Sequence, residues 1–145
     1  FVTNEPYYVR QHGVDPVVLM ISDSGYEPYH VVFANREFAR EAPDRVAAFA
    51  RASLRGWLDY LDGDPTPAHE AIMARNPNMT PGFLEFSRRT LIERSLVAGN
   101  PSKGDALGRI DPVRLQAEID RLREFDMIDG ILTIEEVAIP SVDQQ

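Results

Sequence analysis

Four side chains near the start of this sequence have the chemistry to grip a small molecule: Asn4, Glu5, Tyr26 and Tyr29. Asn4-Glu5-Pro6-Tyr7-Tyr8 sets an amide, a carboxylate and two aromatic rings at the opening of a predicted helix. There Glu5 can accept a hydrogen bond from an amino or amide N–H of a ligand while a tyrosine stacks on its ring. The same residues also read as an ordinary helix start, with a small polar cap, an acid near the positive end of the dipole and Pro in the first turn. Both readings stand. Tyr26, Tyr29 and His30 flank Pro28. Rings beside a polar turn suit a flat ligand, because they supply contact area at low entropic cost. They equally suit a core edge with hydroxyls facing water.

Other chemistries find little support. His12, His30 and His69 share no ligand spacing with one another or with acids on a helical face, so no metal site is expected. Ser22, Ser24 and Ser53 lack a nucleophile-elbow context. The Gly-rich stretch 99–108 carries Lys103 but not the phosphate-loop spacing. Cysteine is absent, which removes disulfides, thiolate zinc sites and cysteine nucleophiles. No cofactor is indicated. Asn78-Met79-Thr80 matches a glycosylation sequon in form, weakened by Pro81, and the Glu135-Glu136 and Asp62/Asp64 acids read as solvated surface.

The chain that must position these groups has 145 residues, 43% hydrophobic and 26% charged, the profile of one globular domain. A net charge of -8 with no basic stripe argues against nucleic acid, whose binding is driven by clustered Lys and Arg. The longest apolar run, Val17 to Ile21, falls far short of the roughly 20 residues that span a bilayer.

Two strands and a series of helices are expected. Phe1 and Val2 read as a strand end, followed by a helix that stops at Gly13. Residues 16–21 form a continuous, partly β-branched apolar run that predicts a strand buried on both faces, and Tyr29 to Ala34 predicts a second. From Asn35 onward the signals are helical. Asn35 caps a short helix, and Ala42-Pro43-Asp44 opens a long one with Val46, Phe49, Leu54, Trp57, Leu58 and Leu61 on one stripe. Asp62-Gly63-Asp64-Pro65 stops it. Thr66-Pro67, Thr80-Pro81 and Asp111-Pro112 start three more helices, and 133–137 form a last turn. Two strands do not make a stable sheet alone. That shortage, and an opening at Phe1 in what reads as the middle of an element, lead us to expect a piece of a longer protein.

FVTNEPYYV, a hydrophobic strand, and then YEPYHVVFANREFAREAPDRVAAFARASLRGWLDYL together resemble the later half of the solute-binding proteins of bacterial ABC importers. The likeness covers roughly residues 1–61 and is nearest to the family that handles the pyrimidine precursor of thiamine, whose relatives bind sulfonates, nitrate, taurine or riboflavin-like compounds. What the resemblance implies is an α/β chain, part of a type II periplasmic-binding-protein clamshell, mostly helical with two strands in this segment. Residues 1–28 would end the second lobe and approach the hinge, and 29–145 would supply the return strand and helices packing on the first lobe. Glu5 would face the cleft with Asn4 orienting it, and Tyr26 and Tyr29 would border the hinge.

The resemblance also implies the partners: a small-molecule ligand, an ABC permease in the membrane, and the N-terminal half of the same protein, in a periplasmic or membrane-associated extracytoplasmic setting. The fungal hydroxymethylpyrimidine synthases belong to the same family. They carry a cysteine-rich segment and consume an active-site histidine, and this chain has no cysteine to match. The leading expectation is a non-catalytic binding component of an importer. A hydroxymethylpyrimidine-synthase-like enzyme and the effector-sensing part of a regulator are the alternatives.

Overall fold

A computed structural model describes residues 1–26, 30–130 and 132–138, with the side chain of Lys103 outside the described set. Among the described residues there are seven α-helices: α1 Glu5–Gln11, α2 Arg36–Glu41, α3 Pro43–Asp62, α4 Thr66–Arg75, α5 Pro81–Glu93, α6 Pro112–Glu124 and α7 Ile134–Val137. The same residues include two short 3-10 turns, Ile21–Ser24 and Pro101–Lys103. None of the described helices is long and apolar enough to cross a membrane.

The two predicted strands do not form, so the α/β expectation is corrected: among the described residues there is no strand, only an isolated bridge residue at Arg109. The physical reason is the want of a partner. A strand exists through its ladder, and neither apolar run meets a second strand here. Between Pro16 and Ile21 the pattern of exposure still alternates, with Pro16, Val18 and Met20 half-buried while Val17 and Leu19 stand 88% and 87% open. In the second run Phe33 is 91% exposed. Tyr29, the first residue of that run, lies outside the described residues.

Helix starts follow local chemistry. Asn35 Oδ1 accepts from the amides of Glu37 and Phe38 at 2.9 and 3.2 Å, which satisfies two orphan donors of α2. Thr80 Oγ1 does the same for Phe83 at 3.2 Å, and Asp111 Oδ1 for Val113 and Arg114 at 2.7 and 3.1 Å. A Pro follows the cap in α5 and α6, where its missing N–H costs no intrahelical bond. Both helices then stop without glycine. Ser95 (φ 51°) and Asp126 (φ 53°) take the left-handed conformation, and Leu96 and Met127 donate back to the carbonyls of Leu91 and Leu122 at 3.0 and 2.9 Å. This is the Schellman closure built on Ser and Asp.

The chain divides into two compact units. The first comprises 1–20 and 54–107, and its buried residues are Pro6, Leu61, Phe83, Leu84 and Thr90. Thr90 is neutralised in place, its hydroxyl donating to Phe86 O at 2.8 Å. Within this unit Arg88 of α5 donates from Nε to Tyr60 O at 2.8 Å, and from one Nη to Leu61 O at 2.7 Å and Gly63 O at 3.4 Å. These carbonyls close α3, where no intrahelical donor remains to meet them. The second unit comprises 21–53 and 108–145, and its described core is Ile119.

Replacing Arg88 by Ala strips three acceptors of a charged donor at once. A loss of about 2 kcal/mol is expected, the range of hydrogen bonds to charged groups, read as a lower urea midpoint at unchanged m-value. Asp64 should give a pH signature. Its carboxyl is held below the usual aspartate value by the Thr66 hydroxyl, then by the Thr66 amide at 3.0 Å, and more weakly by the charges of Arg88 and His69. A depressed carboxyl stabilises the fold above its unfolded value, about 4, and that contribution disappears as pH falls through the folded value. Asp64→Asn should therefore flatten the acid limb of the stability curve below about pH 4 and leave the neutral limb parallel to the parent.

Candidate functional site

Two of the four candidate residues, Asn4 and Glu5, fall in the first unit at the start of α1. Asn4 is the residue before the helix, but its side chain makes no capping bond, and its backbone carries the turn instead, donating to Phe1 O at 2.9 Å and accepting from Tyr7 N at 3.0 Å. Glu5 is 62% exposed and its carboxylate accepts from the α-amino group of Phe1. Pro6 is buried beneath the first turn.

The remainder of α1 rests on α5 through rings. Tyr7 sits edge-on to Phe83 at 5.5 Å between centroids and tilted to Phe86 at 5.4 Å. Tyr8 stacks on Phe83 at 5.4 Å with 25° between planes, and Tyr7 and Tyr8 meet edge to face at 5.3 Å. The Arg10 guanidinium stands 5.9 Å from the Phe86 centroid, a cation–π placement. Gly82 makes the approach possible, since a Cβ there would lie 3.0 Å from the Tyr7 hydroxyl. One ring face of this cluster remains open to solvent: Tyr8 is 45% exposed. Glu5, Tyr8 and His12, all exposed, follow helical spacing and share one side of α1. An acceptor and an aromatic surface therefore stand side by side.

Tyr26 belongs to the second unit. It is half-buried and follows Gly25, whose φ of 81° and bond from its amide to Ser22 O at 2.9 Å close the 3-10 turn. Ser24 Oγ donates to Ile21 O at 2.7 Å within the same turn. A Cβ at Gly25 would lie 3.3 Å from the movable end of the Arg121 side chain, so it is the left-handed backbone that calls for glycine. Tyr29 lies outside the described residues. The second unit also has an open groove of about 500 Å³ lined by Pro112, Val113, Gln116, Ala117, Asp120 and Ile134, and Tyr26 is not among these residues.

Among the described residues no group of histidines and acids could hold a metal ion. One cluster escaped the reading from spacing alone. His69 Nε2 and the Tyr60 hydroxyl are 3.1 Å apart, with the rings edge to face at 5.6 Å, and burial raises the Tyr60 pKa. These residues sit on either side of the Asp62–Pro65 stop, so the only signal was the tightness of that turn. The Tyr7/Tyr8 platform was likewise legible only as pairs of aromatics, 7 and 8 on α1 and 83 and 86 on α5.

Comparison with known proteins then places the chain in a class. Residues 1–89 match the family described as NMT1/THI5 like, and the chain belongs to that family. It is similar to the riboflavin-binding protein RibY of Chloroflexus aurantiacus, with 30% identity over 93 residues, 64% of this chain and 26% of that protein. The chain thus spans about a quarter of the length of this relative. No solved structure matches.

The ring contacts separate structural from exposed aromatics. Tyr7→Ala removes the ring that touches Phe83, Phe86 and Tyr8 and should cost about 3 kcal/mol. Tyr8→Ala loses chiefly one stacked pair and one edge contact, about 1 kcal/mol. Urea denaturation of both variants against the parent checks the order, and equal losses would mean that the Tyr8 ring is as much a packing residue as Tyr7.

Proposed function

We propose that this chain is part of the solute-binding component of an ABC importer, non-catalytic and extracytoplasmic, which takes a small polar or aromatic solute and delivers it to a membrane permease. Membership of the NMT1/THI5-like family across residues 1–89 is the observation that carries this reading. Similarity to a protein named for riboflavin binding favours a flat, nitrogen-rich ring over a simple anion. The exposed side of α1 offers matching chemistry, with Glu5 as acceptor for ring N–H or amino groups and the Tyr8 face as a stacking surface. Asn4, Tyr26 and Tyr29 complete the proposed contact set, the two tyrosines at the border of a hinge on which the lobes close. Division at residue 28, with the end of one lobe before it and the return to the other after it, is part of the same proposal.

The experiment is a melting series on the full-length protein that contains this chain. Riboflavin, hydroxymethylpyrimidine and taurine are each supplied in about hundredfold excess over Kd. A ligand that binds only the folded state raises stability by about 2.7 kcal/mol under that condition. The expected result is a clear rise in Tm with a ring compound and a much smaller one with taurine. Glu5→Gln should weaken the ring compound's effect while leaving the unliganded Tm within about a degree, because Glu5 is exposed and substitutions at exposed positions shift stability little. No rise with any of the three would overturn the reading.

A further inference from the structure

Two Asp-Gly pairs occur in the sequence, Asp62-Gly63 and Asp129-Gly130, and the backbone treats them in opposite ways. The pair matters because the glycine amide nitrogen can attack the neighbouring side-chain carboxyl. Glycine lacks the Cβ that obstructs this approach in other residues. The N–Cγ bond forms and the Cγ–OH bond breaks, and the amide proton leaves with that hydroxyl as water, giving a cyclic imide. Water then adds back to one of the two imide carbonyls. Addition at the Cγ side restores aspartate, whereas addition at the main-chain side leaves the chain running through Cγ, as isoaspartate. No oxidant or reductant enters, and the overall mass is unchanged.

At Asp62-Gly63 the nucleophile is committed elsewhere. Gly63 N donates to Asp59 O at 2.9 Å, continuing the ladder of α3, and Gly63 O accepts from Arg88. The glycine also sits tight against the helix, since a Cβ there would lie 2.6 Å from Asp59 O. Turning this nitrogen toward the Asp62 carboxyl requires the last turn to unwind and the Arg88 contact to break. At Asp129-Gly130 the restraints on the amide and on the Cβ position are absent among the described residues, although an arginine again holds the glycine carbonyl. Both residues are exposed, Gly130 has a φ of 83° with nothing within 4 Å of its Cβ position, and its amide meets no backbone acceptor among the described residues. Its carbonyl alone is held, by Arg123 Nε at 3.1 Å.

We propose that Asp129-Gly130 is a built-in isomerisation site, converting to isoaspartate in the folded protein, while Asp62-Gly63 is protected by the end of α3 and Arg88. The product inserts a methylene into the main chain between α6 and α7 and frees an α-carboxylate. It is the kind of group that isoaspartyl carboxyl methyltransferases recognise.

The test incubates the full-length protein that contains this chain for days at mildly acidic pH and physiological temperature, once folded and once in urea. A methyltransferase with a labelled methyl donor then reports isoaspartate, and the label is assigned by peptide mapping. In the folded sample the peptide holding Asp129 should carry roughly tenfold more label than that holding Asp62, the contrast that local opening of a helix end imposes. In urea the two peptides should label alike, and Arg88→Ala should raise the Asp62 label in the folded sample. Equal labelling of the two sites in the folded protein, an excess at Asp62, or no label at Asp129 when the urea sample is labelled would each overturn the proposal.

Discussion

The fork of Arg88 into the end of α3 is the interaction on which the first unit depends. A helix of twenty residues finishes with carbonyls that no backbone donor can reach, and here the Tyr60, Leu61 and Gly63 oxygens converge on a single guanidinium. The planar, multiply donating geometry of arginine meets such a cluster in a way that the point charge of lysine does not. Because Arg88 rides on α5, the same contact fixes the α3 end beside the helix that presents Phe83 and Leu84 to the core. It also sets the register that brings Tyr60 to His69 on α4. The α1 rings then settle on Phe83 and Phe86, so the exposed Glu5–Tyr8 side rests, contact by contact, on that charge.

Much of the helical order was legible in the residues. Asn35, Thr80 and Asp111 act as caps, and the long stripe from Val46 to Leu61 lies on a single helix ending at Asp62. These features are local, written within one or two turns of sequence, and local chemistry suffices to predict them. The ends of α5 and α6 are less legible because neither stop carries glycine, the usual left-handed closing residue. α5 ends at Glu93, well before Gly99, because Ser95 takes a conformation that its type adopts only occasionally.

The strands illustrate the converse. Val17 to Ile21 and the run into Ala34 have the composition of buried sheet, and composition is all that sequence can offer on that point. Whether a ladder forms depends on a partner elsewhere, which no local pattern encodes. Of the candidate site, the pairing of an acceptor with rings at the head of α1 was legible from types and spacing. The division of labour between Tyr7, turned onto α5, and Tyr8, left half open, was not, because it rests on Gly82 and Phe83 some seventy-five residues away. Sequence spacing has no means of reporting a contact at that range.

The open Val17-Val18-Leu19-Met20-Ile21 run has a colloidal consequence. It is short, uncharged, β-prone and largely uncovered, the combination that seeds intermolecular cross-β pairing in crowded solution. Its flanks temper that tendency: Asp15 and Pro16 stand before it and Asp23 just after it, residues that act as gatekeepers by repulsion and by a missing amide. A net charge of -8 adds long-range repulsion between copies, which salt screens over about 8 Å at physiological strength. Concentrated, salty preparations of this polypeptide are therefore where turbidity begins, and dilute, low-salt ones are where it stays clear.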